Sequence, residues 1–289
     1  MLTTFSQRSN SRLAQVVEAA RWQLQLPVNI RRLITAGVFE SNQCDASLLW
    51  LAGDPTLSNR IVVWANSRLF NLSRELTDLG EVHALLGAGP MARLAVVAGY
   101  RDLFRPSITI DSYNRTKLWR HSLGVGTVSA MIARTCDVAD TEAAFLAGVF
   151  HDVGLLASEV IDRKKFSELI FQLSGGMSLV ATEKRQLGWN HQQLGHAILE
   201  QWGMPRVFCE IARYHHEPDA ISNVSDRALF CCVVLADYLC NRCGWTEIGE
   251  KKHDLPPDFI YQEIGIDAIC LTVLWSQLYA TLEQSRTLD

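Results

Sequence analysis

The stretch AFLAGVFHDVGLLASEV, residues 144–160, constrains the fold more than any other part of the chain. It reads as one buried helix, expected over 140–157, yet it carries His151 and Asp152 side by side at its middle. An imidazole or carboxylate buried alone loses its hydration at high cost. This pair therefore needs partners from elsewhere in the chain. Apolar residues recur at three- and four-residue steps almost everywhere, with no convincing run of alternation, so those partners must come from other helices.

The same periodicity predicts helices at 11–25, 28–37, 45–53, 55–65, 78–87 and 90–104. Asp54-Pro55 gives the fourth of these a clear start, a capping residue followed by proline at the first helical position. Beyond RPSITIDSYN the expected helices lie at 114–135, 140–157, 179–187, 191–202, 205–216 and 225–243, with a last pair at 257–264 and 267–284 after Pro256-Pro257. The seam at 105–113 divides an N-terminal helical subdomain, 1–110, from a helical bundle, 111–289. The fold class expected is all-α.

Composition closes off several function classes. The net charge is -4 and no basic run occurs; Arg8, Arg12, Arg21, Arg31 and Arg32 are spread at helical spacing, as on a solvated face. No nucleic-acid partner is expected, because there is neither a basic stripe nor a basic-aromatic platform. A GxxxxGK[ST] phosphate loop and a GxSxG elbow are both missing, which argues against an ATPase or a serine hydrolase. The opening MLTTFSQRSNSR lacks the apolar core of a signal peptide. No apolar segment approaches the roughly 20 residues of a membrane span, so a soluble, cytoplasmic protein without a membrane partner is expected. The eight cysteines, at 44, 136, 209, 231, 232, 240, 243 and 270, lack the loop spacing of a disulfide framework and read as free thiols. Cys240 and Cys243 form one CxxC, weak evidence for zinc without a second pair.

The informative polar residues fall on apolar stripes. His121 lies on a face with Leu118, Val125, Val128 and Ile132. His151 shares its face with Ala144, Ala147, Gly148 and Leu155, small residues among them that let another helix come close. His191 aligns with Leu194, Ile198 and Trp202, and Asp237 with Phe230, Val233 and Val234. His215 and His216 end the stretch IARYHHEP at a helix C-terminus. Imidazoles and carboxylates that converge in a core suit one or two ions of iron, manganese or zinc. A hydrogen-bonded polar cluster without metal is the other reading of the same residues.

These residues carry a resemblance. His121, His151-Asp152 in HDVG, and Asp237 are similar to the H…HD…D pattern of the HD superfamily of metal-dependent phosphohydrolases. The Leu26-Pro27 pair, GDPTLSNRIVVWANS at 53–67, VHALLGAGPMARLAVV at 82–97, EKRQLGWNHQQLGHAILEQWGMP at 183–205 and HHEP at 215–218 resemble HDOD domains, an HD-related output module of bacterial signalling. The likeness covers roughly residues 20–240. It implies an HD-like bundle under an N-terminal helical subdomain, with His121, His151, Asp152, His191, His215, His216 and Asp237 on metal-ligand positions. The sequence departs from the catalytic HD-GYP relatives in three places. Leu155 stands where they carry a lysine, DAISNVS replaces the GYP segment, and Lys117 falls where an extra glutamate is expected, so a cation would face the site and oppose a second metal.

Two functions follow as expectations. One is a regulatory signalling module that binds a partner protein or a small phosphate-containing ligand, pairs with a second copy, and retains a His/Asp metal-type site with little catalysis. The other is a metal-dependent phosphohydrolase, in which metal acidifies a water that attacks phosphorus.

Overall fold

The structure, a computed structural model, describes residues 13–20, 22–39, 47–67, 72–173, 178–246, 248 and 255–286. Arg8, Arg12, Arg21 and Cys44 lie outside the described residues. Arg31 and Arg32 are exposed, as a solvated face requires. The architecture is all-α.

Helix α1 (residues 13–20) leads into α2 (Val28–Thr35), α3 (Ser47–Ala52), α4 (Pro55–Ala65), α5 (Leu79–Leu86) and α6 (Ala88–Tyr100). The start of α4 follows from its sequence. Pro55 occupies the first turn, and the Asp54 carboxylate accepts from the Leu57 amide at 3.1 Å. A 3-10 turn (Arg101–Phe104) then leads into a short antiparallel pairing of β1 (Thr109–Ile110) with β2 (Tyr113–Asn114). This ribbon overlaps the expected seam at 105–113 and runs one residue past it, where no alternating pattern announced it.

The later helices are α7 (Arg115–Cys136), α8 (Thr141–Phe150), α9 (Val153–Ile161), α10 (Arg163–Leu173), α11 (Leu179–Leu187), α12 (His191–Gln201), α13 (Arg206–Tyr214) and α14 (Arg227–Arg242). Helices α15 (Asp258–Glu263) and α16 (Ala268–Ser285) complete the described fold. Side-chain caps set several of their starts: Asn114 for α7, Asp140 for α8, Asp226 for α14 and Asp267 for α16. Asn190 and Gln193 make a reciprocal capping box at the head of α12.

Two expectations need correction. The single helix expected over 140–157 is two helices, because the chain turns at His151 and Asp152. There the His151 Nδ1 donates to the Gly148 carbonyl at 2.7 Å, supplying the terminal oxygen of α8 with a side-chain donor. The second is α10, which the periodicity reading passed over. Its core face is Phe166, Leu169 and Ile170, and Asp162 caps the Lys165 amide at 3.1 Å.

The expectation that no segment reaches spanning length also needs amendment. Thr141–Ile161 is 21 residues long and apolar enough to cross a bilayer. It is broken by the turn at 151–152, and most of it is buried inside the protein.

Small residues set the closest helix contacts. A Cβ on Gly148 would lie 2.6 Å from the Gly126 Cα, so α7 and α8 touch backbone to backbone. The N-terminal helices join this pair through aromatic rings. Tyr100 of α6 packs 4.7 Å from Phe150, and Trp119 of α7 stands 6.1 Å from Trp64 and 5.2 Å from Phe104. On the other side, α16 buries Leu274, Leu278 and Leu282 and leaves Trp275 and Tyr279 exposed.

Candidate metal centre

The centre gathers residues from three helices and from the turns that end two others. His121 comes from the middle of α7, His151 and Asp152 from the α8–α9 turn, and His191 from the first position of α12. His215 and His216 follow α13, and Asp237 lies on α14. All but His216 are buried. His216 is exposed, with its ring 4.1 Å from that of His215 and 5.1 Å from that of His191.

Asp152 is the hub. It sits at the capping position of α9, yet its side chain caps no helical amide. Its carboxylate instead lies among the imidazoles. Oδ2 is 3.4 Å from His151 Nε2 and 3.8 Å from His121 Nε2, while Oδ1 is 3.5 Å from His191 Nε2 and 3.3 Å from His215 Nε2. Two groups of ligand atoms result, each with all its atoms within 4.8 Å of one another. One is His121, His151 and Asp152; the other is Asp152, His191, His215 and His216. Asp237 Oδ1 adjoins the first group, 3.1 Å from His121 Nε2, and accepts from the Asn241 amide at 2.8 Å.

The ring orientations share one logic. His121 Nδ1 donates to the Trp245 carbonyl at 2.7 Å, His151 Nδ1 to the Gly148 carbonyl at 2.7 Å, and His215 Nδ1 to the Ala212 carbonyl at 3.0 Å. Carbonyl oxygens only accept, so each of these Nδ1 atoms carries a proton, and in the neutral ring Nε2 is the lone-pair nitrogen. For His191 the acceptor is a carboxylate, Glu183 Oε2, at 2.7 Å. Four imidazoles are thus turned by their outer nitrogens so that their inner nitrogens face one carboxylate. His151 Nε2, His215 Nε2 and Asp152 Oδ1 are buried and make no hydrogen bond. Buried polar atoms without partners are costly. A divalent cation satisfies imidazole lone pairs and a carboxylate oxygen together, so the donor set fits a metal.

The carboxylates draw on positive charge from the rings: burial lowers His151, but Asp152 and Asp237 outweigh it and raise it. Burial pushes the Asp152 carboxyl upward, but His151, His215 and His191 outweigh it and hold it well below the usual carboxylate range. Asp237 is lowered likewise, burial being overcome by the hydrogen bond and charge of His121. His215 moves the other way from an ion pair, its burial lowering it despite Asp152.

Sequence reasoning singled out all seven ligand-type residues, and the fold brings them to one place. It missed the residues that orient them: Glu183, the Trp245 carbonyl and Asn241. Glu183 could have been found, since Leu179, Glu183 and Leu187 form an i, i+4, i+8 stripe. Gly154 was also missed. Any Cβ there would collide with the His191 carbonyl oxygen, so the glycine of HDVG lets α12 seat His191 beside Asp152. Of the departures, Leu155 is fully buried in α9, Lys117 is exposed, and DAISNVS overlaps a 3-10 turn at Pro218–Asn223. Cys240 and Cys243 are thiols rather than a disulfide, as are the other described cysteines.

Comparison with known proteins places this geometry. The fold is shared with an HDOD domain protein from Geobacter sulfurreducens, with a TM-score of 0.80 and 23% identity over 96% of this chain and 99% of that one. A protein from Shewanella amazonensis provisionally named a phosphohydrolase superposes with a TM-score of 0.73 and 19% identity over 96% of this chain and 98% of its own. One from Marinobacter aquaeolei, provisionally named a signal transduction protein, gives 0.74 and 18% over 97% of this chain and 64% of its own. No curated protein matches the sequence. The HDOD domain model matches residues 25–218, which include every ligand-type residue except Asp237. The chain belongs to the HDOD domain family.

Proposed function

We propose that the chain is a metal-holding signalling module that works by binding rather than by turnover. The observation that carries this reading is the pairing of an ordered donor set with a site that is buried except at His216. Asp152 and four imidazoles are set up for metal, while every member except His216 is buried and Leu155 supplies no cation for a phosphoryl group. The residues that would hold metal are His121, His151 and Asp152, with Asp237 beside them, and His191, His215 and His216 on the far side of Asp152. Bound iron, manganese or zinc would supply Lewis acidity; an ion in the first group would tie α7 to the α8–α9 turn, and one in the second would tie that turn to α12 and the end of α13. Such a cross-link suits a module whose surface is read by a protein partner, by a small phosphate-containing ligand or by a second copy of the chain. The provisional name of the Marinobacter neighbour is in keeping with signalling. The test is hydrolysis: protein loaded with manganese or iron is expected to leave cyclic dinucleotides and simple phosphate esters intact. Sustained turnover, lost in His151→Ala, would contradict the reading.

One observation favours a metal-dependent phosphohydrolase as the second reading. Asp152 offers one oxygen to each ligand group, the arrangement by which two ions can share a carboxylate. The same assay decides between them.

A further inference from the structure

The two ligand groups around Asp152 are not alike. The first has two carboxylates close by, Asp152 and Asp237, and its imidazoles are held by neutral backbone carbonyls. The second has three imidazoles and only the shared Asp152 as a direct carboxylate. Its missing charge lies one bond further out. Glu183 is fully buried in α11, and its Oε2 accepts both from the His191 amide at 3.0 Å and from His191 Nδ1 at 2.7 Å. Its other oxygen, Oε1, is buried and makes no hydrogen bond.

A buried carboxylate is expensive unless positive charge compensates it. Glu183 spends its hydrogen bonds on the main chain and ring of one histidine, whose opposite nitrogen faces Asp152 at 3.5 Å. A cation on that nitrogen would sit across the imidazole from Glu183 and balance it. A carboxylate acceptor also draws the Nδ1 proton more strongly than a carbonyl does, which makes Nε2 a better donor.

We infer that Glu183 is the positioning residue of the second ligand group, fixing the His191 tautomer and supplying the charge that lets His191, His215 and His216 hold an ion of their own. This rests on the metal reading above, with both ligand groups filled. It makes the two ions separable: the first depends on Asp237 and backbone carbonyls, the second on Glu183.

The experiment uses the full chain, stripped with chelator and titrated with Mn2+, with bound ions counted by mass spectrometry and their coupling read by electron paramagnetic resonance. The natural protein is expected to bind two ions with an exchange-coupled spectrum. Glu183→Gln, similar in shape and uncharged, is expected to keep one tight ion, show an uncoupled six-line spectrum, and bind the second about 10–100-fold more weakly. Glu183→Asp, which keeps the charge, is expected to fall between the two. Two equally tight ions in Glu183→Gln would overturn the Glu183 assignment alone, as would equal weakening of both with the helical circular dichroism unchanged. A natural protein that takes fewer than two ions would overturn it as well, and one that takes none would remove the metal reading with it. The metal-free natural protein gives a check that needs no variant. Nitrogen-15 shifts should show a proton on His191 Nδ1, and a neutral ring protonated on Nε2 alone would contradict the assignment.

Discussion

Gly154 of α9 lies directly under the His191 carbonyl at the head of α12, so that a methyl group at 154 has no place to go. The same position faces the Gly195 amide, one turn further along α12. Two helices therefore meet through glycine backbone at the point where Asp152 and His191 must come together. Gly154→Ala is expected to push α12 outward, costing about 1–3 kcal/mol of stability. Thermal unfolding reads that loss, and metal titration should show weaker binding by the His191 group. An alanine variant as stable as the natural protein would mean that the helices part without strain.

A buried ion pair fastens the seam to the bundle. Arg115 Nε donates to Glu159 Oε2 at 2.6 Å, Arg163 Nε reaches Glu159 Oε1 at 2.8 Å, and Arg115 also donates to the Arg105 carbonyl at 3.2 Å. Glu159 is fully buried and Arg115 nearly so. Removing one partner leaves the other as an uncompensated buried charge, so Glu159→Gln is expected to lose about 3–5 kcal/mol in urea unfolding. Replacing both, as Arg115→Met with Glu159→Leu, should recover much of that loss, whereas a double variant worse than the single would contradict it.

Glu210 makes stability depend on pH. Its Oε2 accepts the Ser225 amide and hydroxyl, each at 2.7 Å, and its Oε1 accepts from Arg206 at 2.6 Å. Burial raises this carboxyl, but the Ser225 amide, the Ser225 hydroxyl and Arg206 outweigh it and bring it below 4.5. A lowered folded value means stabilisation that is complete above the unfolded value and lost as pH falls through the folded one. Glu210→Gln is expected to cost about 1–3 kcal/mol at neutral pH. The gap between the two proteins should shrink as pH falls below 4.5. A gap that stayed constant to strong acid would rule this account out.

Much of this was legible in the sequence because side-chain chemistry and period agreed locally. Asp54-Pro55 set the start of α4, and the stripe of Leu118, Val125, Val128 and Ile132 placed His121 in the core. The break after Phe150 was not legible, since the apolar pattern runs straight through it, and the bond from His151 to Gly148 that accompanies it leaves no mark in that pattern. The orienting partners were illegible for another reason. The Trp245 carbonyl belongs to any residue type, and it meets His121 across 124 positions of chain. Glu183 is the exception: it stands in the charged run EKRQ, which reads as surface, but its place on the Leu179–Leu187 stripe marks it as inward-facing.

The central claim is that Asp152 organises a metal centre. Its most direct test is the metal content of the full chain beside that of Asp152→Asn, an exchange that keeps the shape and removes the shared charge. The account predicts one or two tightly held divalent ions in the natural protein and none in Asp152→Asn, with helical circular dichroism preserved in both. A natural protein that binds no divalent ion, or an Asp152→Asn variant that holds its ions as tightly, would contradict it.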